Sequence, residues 1–201
     1  MNLLIIGRPN VGKTLLMINL VAYLGLREIR IDVQDDDGVR RSQRLGLERA
    51  RRQLVSLEAS KTIRIQAVAV DVAAGHQHAR VMVLDTPGIS LGISPSLDQR
   101  RQTALTLEYL LSARMIFHVM DASAVPSHRD QGPEGFDAGL MEFGRHKPGY
   151  LLVANKMDRP GSHEGLRILK DNYRDVTIIP VSSATRRGFR DLKVWILRAI
   201  P

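Results

Sequence analysis

The octapeptide Gly7-Arg8-Pro9-Asn10-Val11-Gly12-Lys13-Thr14 constrains this chain more than any other stretch, because of what flanks it. The apolar run Leu3-Leu4-Ile5-Ile6 precedes it and the helix-like run Leu15 to Leu24 follows. It satisfies the phosphate-loop pattern G-x-x-x-x-G-K-[ST] in the strand, loop, helix order that the pattern requires. Glycines permit the turn and a close backbone approach, so successive N–H groups from Asn10, Val11, Gly12, Lys13, Thr14 and Leu15 can converge on phosphate oxygens. Lys13 is expected to reach the β- and γ-phosphates, and the Thr14 hydroxyl to ligate Mg²⁺. A nucleoside triphosphate site is therefore the first expectation.

The rest of the chain alternates strand and helix patterns. Buried strands are expected at Asn2 to Ile6, Met115 to Met120 and Tyr150 to Ala154, all apolar or nearly so. Thr62 to Ala73 and Arg80 to Leu84 read as an antiparallel hairpin, with His76 and His78 in its turn. Helices are expected near Lys13 to Gly25, Leu97 to Ser112, Pro133 to Arg145, His163 to Asn172 and Phe189 to Ile200, with a strand at Val176 to Val181. End-to-end alternation implies a parallel-dominated α/β sheet with helices on both faces. Between Asp32-to-Gly38, an acidic turn, and Thr62, the apolar residues Leu47, Ala50, Leu54 and Leu57 fall at helical intervals. They predict an amphipathic helix over about 40–59, inserted into one domain that spans 1–201. Its remaining faces carry Arg40, Arg41, Arg44, Arg49, Arg51 and Arg52, either a docking surface or a solvated side.

Composition narrows the chemistry. Zero cysteines exclude disulfides, thiolate metal sites and cysteine nucleophiles. A net charge of +8 favours an anionic partner such as RNA or a ribosome surface, with the 40–59 segment as its candidate contact. No apolar run approaches the roughly 20 residues that span a bilayer, and the chain opens on a strand pattern instead of a signal peptide, so a cytoplasmic location is expected. The six histidines are scattered, and none is assigned a function.

Downstream motifs select among phosphate-loop proteins. Asp85-Thr86-Pro87-Gly88 follows an apolar strand, where a carboxylate can hold Mg²⁺ and the Gly88 N–H can meet a γ-phosphate. Asn155-Lys156-Met157-Asp158 ends another buried strand, the edge at which open α/β sheets bind ligands. Asp158 can accept hydrogen bonds from the N1–H and exocyclic amine of guanine, Asn155 can brace the loop, and the Lys156 stem can pack over the ring. At the next strand end, Ser182, Ser183 and Ala184 can offer a backbone N–H to guanine O6.

In this order and context, Gly7 to Thr14, Leu84-Asp85-Thr86-Pro87-Gly88-Ile89 and Leu152 to Asp158 resemble the motifs of small P-loop GTPases of the translation-factor-related class, most closely the Era and TrmE-like group. The resemblance covers essentially the whole chain. It implies a P-loop G domain with a six-stranded, mostly parallel sheet, one antiparallel edge strand and a GTP/GDP switch. It also implies a switch I threonine that ligates Mg²⁺ ahead of the edge strand, for which Thr62 stands at the right place and Ser60 is the substitute. Ungapped counting from Gly188 gives Ser183 the O6 contact; a shift by one gives it to Ala184. Ile89 occupies the position where Ras-like members carry a water-orienting glutamine, so unassisted hydrolysis is expected to be slow. Some members of the group hold K⁺ through an asparagine at the position of Asn10; here it either does this or stiffens the loop. The expected activity is GTP hydrolysis with an unidentified protein effector. A ribosome-associated assembly role and a GTP-binding module with little turnover are the alternatives.

Overall fold

The computed structural model describes residues 1–34, 40–55, 66–74, 77–89, 96–125 and 135–200. Its main sheet has six strands: β1 (Asn2–Ile6), β4 (Gln66–Ala74), β5 (Gln77–Asp85), β6 (Met115–Asp121), β7 (Tyr150–Asn155) and β8 (Ile178–Pro180). They lie in the order β4-β5-β1-β6-β7-β8. All neighbours are parallel except β4 and β5, so one edge strand is antiparallel. The helices are α1 (Lys13–Tyr23), α2 (Leu47–Val55), α3 (Leu97–Ser112), α4 (Phe136–Gly144), α5 (Ser162–Asn172) and α6 (Phe189–Arg198).

Strand composition explains this order. Leu3 to Ile6 in β1, Met115 to Met120 in β6 and all of β7 are buried, as central parallel strands covered on both faces must be. At the edge, Val68, Val70 and Val72 of β4 are buried while Ala67, Asp71 and Ala73 are exposed, the alternation of a strand covered on one face. Because β1, β6 and β7 run in parallel, Ile6, Asp121 and Asn155 all arrive at the same end of the sheet.

The segment after α1 differs from expectation. The helix predicted over about 40–59 is instead the strand β3 (Arg40–Gly46) followed by the short α2, and β3 pairs antiparallel with β2 (Glu28–Gln34). Ile29 and Leu45 sit opposite each other in that register. Both are buried with Ala50 of α2 in the cluster that contains Leu16, Met17 and Leu20 of α1. Burial of this pair in the core decides for a strand over 40–46, where the sequence is otherwise polar and the helical spacing begins only at Leu47. Residues 56–65, the rest of the predicted helix together with Ser60, Thr62 and the first residues of the expected edge strand, lie outside the described residues.

Candidate functional site

The phosphate loop leaves β1 and enters α1 at Gly12, which caps the helix in the left-handed region at φ 97°. Asn10 is left-handed too, at φ 63°. Left-handed residues set among right-handed ones turn backbone N–H groups into an anion-binding concavity, here at a helix N-terminus.

Lys13 is buried and donates from Nζ to the Arg8 carbonyl oxygen at 2.7 Å. Burial lowers its pKa to about 8, even with Asp85 and Asp137 nearby to raise it. An ammonium desolvated in this way gains from an anionic partner. Asp85 ends β5 beside Ile5 and is fully buried. Its Oδ2 accepts a hydrogen bond from the Thr14 hydroxyl at 2.6 Å, and its Oδ1 has no hydrogen-bond partner among the described residues. Burial raises its pKa to about 6, against the Thr14 hydrogen bond and the Lys13 charge. A carboxylate with an orphaned oxygen beside a hydroxyl fits Mg²⁺, which takes one or two protein oxygens and completes its shell with phosphates and water.

The Asp85 loop turns back onto the phosphate loop. The Thr86 hydroxyl donates to the Ile5 carbonyl at 2.9 Å, and the Ile89 N–H to that of Gly7 at 3.4 Å. A Cβ on Gly88 would stand 2.6 Å from the Pro9 backbone, so only glycine permits this approach. The Ile89 side chain packs against the apolar cluster of Leu4, Ile6 and Leu84.

Asn155 joins the two halves of the site. Its Nδ2 donates to the Val11 carbonyl at 2.8 Å, while its Oδ1 accepts from the Ser183 N–H and hydroxyl, both at 2.9 Å. Lys156, at φ 64°, donates to the Asn10 carbonyl at 2.6 Å and to Asp121 Oδ2 at 2.7 Å. Burial pushes the Asp121 carboxyl up, but hydrogen bonds from Lys156 and Ser123 and the Lys156 charge outweigh it and hold the pKa below the usual carboxylate value. Asp158 is exposed, and its Oδ1 accepts from the Ser182 hydroxyl at 2.5 Å. Ser182 thus faces Asp158, Ser183 faces Asn155, and Ala184 is exposed.

The structure therefore gathers Asn10 to Thr14, Asp85, Gly88, Asn155, Lys156, Asp158 and Ser182 to Ala184 at one end of the sheet, while Thr62 falls outside the described residues. It adds two groups that the sequence did not mark. Asn19 donates from Nδ2 to the Ser183 carbonyl at 2.7 Å and accepts from Arg51 Nε at 2.7 Å. Its only sequence signal is a polar residue within the otherwise apolar run of α1. The second group centres on His118, 0% exposed, which bonds to Tyr150 and Asp137.

A lysine-bearing loop at a helix N-terminus, a neighbouring carboxylate, and a sheet of this order with one antiparallel edge define a P-loop nucleotide-binding domain. Comparison with known proteins narrows the class. Residues 2–156 match the family described as 50S ribosome-binding GTPase, and the chain belongs to that family. The GTPase Obg of Desulfitobacterium hafniense is 31% identical over 127 residues, covering 60% of this chain and 28% of that protein. The GTPase Obg of Bacillus cereus is 33% identical over 127 residues, with the same coverage of 60% and 28%. The chain thus spans under a third of the length of these relatives. Among solved structures, an Era variant from Aquifex aeolicus bound to GDP and aluminium fluoride superposes with a TM-score of 0.63 at 18% identity, over 100% of this chain and 56% of that one. The G domain of the Thermotoga maritima iron transporter FeoB gives 0.58 at 19% identity, over 100% and 99%. These likenesses show the fold.

Proposed function

We propose that this domain binds GTP with Mg²⁺ and hydrolyses it slowly to GDP and phosphate, acting as a molecular switch. The observation that carries the reading is Asn155, which is hydrogen-bonded both to the phosphate loop and to Ser183. A ligand filling this site meets a phosphate cradle and a base-reading edge at once. In this reading Lys13 meets the β- and γ-phosphates, Thr14 and Asp85 hold the metal, and the Gly88 N–H meets the γ-phosphate. When bound, Mg²⁺ neutralises phosphate charge and fixes the phosphate geometry. Asp158, oriented by Ser182, accepts from the guanine N1–H and amine, and the Lys156 stem covers the ring. The Ser182 contact favours the register in which Ser183 supplies the O6 contact. Thr62 completes the metal site from the switch I side.

Ile89 offers no group to orient water, so positioning of the phosphates carries the catalysis. Asn10 is the candidate ligand for a stimulating K⁺: its carbonyl is taken by Lys156, while its exposed side chain makes no hydrogen bond among the described residues. Calorimetric titration should give tight binding of GDP and of a non-hydrolysable GTP analogue, with ATP bound weakly or not at all; tight ATP binding overturns the guanine assignment. Single-turnover hydrolysis should be faster in K⁺ than in Na⁺, and equal rates remove the K⁺ site.

A ribosome-associated role is the second reading, supported by the family and by Arg44, Arg49 and Arg52, exposed on β3 and α2. Cytoplasmic work beside a ribosome also suits a chain in which no described helix is long and apolar enough to cross a membrane. Filter binding to ribosomal RNA at two salt concentrations tests it. Arginine-to-alanine changes there should weaken binding and flatten its salt dependence, and undiminished binding counts against this surface.

A further inference from the structure

Behind the phosphate loop lies a buried polar chain that the nucleotide reading does not use. Tyr150 opens β7, His118 is the fourth residue of β6, and Asp137 stands in the first turn of α4. All three are buried. Tyr150 Oη is 2.7 Å from His118 Nδ1, and His118 Nε2 is 3.0 Å from Asp137 Oδ1. The second carboxylate oxygen, Oδ2, is 2.6 Å from Arg8 Nε, the side chain of the second residue of the phosphate loop.

The directions of these bonds follow from the chemistry of the ends. A carboxylate only accepts, so Nε2 of His118 carries a proton towards Asp137; in the neutral imidazole Nδ1 then accepts from the Tyr150 hydroxyl. The two oxygens of Asp137 are divided between His118 and Arg8. Packing holds the arrangement in place. The His118 ring meets Phe136 edge-on, with centroids 6.5 Å apart. The Tyr150 ring lies so close to α4 that a Cβ on Gly144 would stand 2.3 Å from its carbons. A glycine that weakens the helix by propensity is thus what lets the tyrosine reach His118.

Arg8 is also the residue whose carbonyl receives Lys13 Nζ. Its side chain is fixed from behind by Asp137, and its backbone oxygen aims the lysine in front. We infer that Asp137, oriented by His118 and Tyr150, is a positioning residue for the phosphate loop: through Arg8 it sets where Lys13 stands for the β- and γ-phosphates. A buried carboxylate held by several donors is costly to disturb, so a rigid anchor of this type transmits little slack. The inference rests on the proposed nucleotide reading, and the test separates the two.

Affinities of the full chain for Mg-GDP and for GMP, measured by calorimetry, read the effect directly, because Lys13 serves phosphates that GMP lacks. Arg8→Met removes the tie at a partly exposed loop position. Asp137→Asn puts an amide N–H against one of two donors. Each should lower the GDP-to-GMP affinity ratio about tenfold, the loss expected for a charge-assisted contact, and the double variant should lose no more than either single one. Arg8→Lys should recover part of the ratio, and Tyr150→Phe should shift it the same way by less. An unchanged ratio in folded Arg8→Met overturns the inference, as does an equal loss for both nucleotides, or a double variant whose losses multiply. Wild-type protein that binds neither nucleotide would overturn the nucleotide reading and this inference with it.

Discussion

Asp158 and its partner Ser182 show how little of a site one residue type decides. The carboxylate is exposed, yet its direction is fixed by a hydroxyl 24 positions away in sequence, at 2.5 Å. Asp158→Asn replaces an acceptor with a donor and should move preference from guanine to xanthine nucleotides; unchanged GTP affinity would rule out the contact. Asp121 gives a pH prediction of definite sign. Its folded pKa lies below the ordinary value, so the Lys156 pair contributes stability above about pH 4 and loses it as pH falls through the depressed value. Asp121→Asn should therefore cost about 1 to 2 kcal/mol at pH 7, discounted for partial solvation. The gap to wild type in urea denaturation should close below pH 4. A gap that stays constant across that range would show that the charge is not what stabilises.

At the level of elements, local pattern and long-range contact part company. The phosphate loop, the Asp85 loop and the Asn155 loop were legible because each needs only its own few residues and the strand before it. The sheet followed from runs such as Leu3 to Ile6 and Tyr150 to Ala154, which suit only strands covered on both faces. β2 and β3 were not recognised, although Ile29, Ile31 and Val33 alternate with polar residues in the sequence. β3 itself, Arg40-Arg41-Ser42-Gln43-Arg44-Leu45-Gly46, carries no such signal, and the helical spacing that begins at Leu47 and Ala50 lies just beyond it. What decides is Leu45 opposite Ile29, both buried in the core cluster that also holds Ala50 and α1 residues, a pairing no window of sequence contains. Leu45→Ala should cost about 2 to 4 kcal/mol, as for a core leucine; a change below 0.5 would show that the hairpin is not anchored. His118 was invisible for the same reason, since its partners lie 19 and 32 positions away. Arg51 belongs to this scale as well. Six arginines of this segment read as either a docking surface or a solvated side, but Arg51 turns inward to Asn19, which holds the Ser183 carbonyl. Arg51→Ala should weaken GDP binding about three- to tenfold, the worth of one hydrogen bond. Arg52→Ala, exposed on the same helix, serves as the control.

Across the whole molecule, the loops at the C-terminal end of the sheet are bonded to one another as well as to their own strands. Ligand binding should therefore be read globally. GDP with Mg²⁺ at a hundred times its dissociation constant should add about 2.7 kcal/mol of stability and raise the melting temperature by about 5 to 10 °C, with ATP giving little shift. An equal shift from ATP would point to phosphate recognition without base selection. Asn155 has one more consequence, in time instead of energy. Its amide makes the phosphate loop and the Ser183 loop two sides of a single clasp, closed by the protein's own hydrogen bonds. On the proposed reading the nucleotide would arrive at a surface already shaped, and its residence would depend on how often that clasp opens. A partner seeking to eject GDP would then not need to touch a phosphate: drawing the loop after β8 away from Asn155 would break the clasp from its far side.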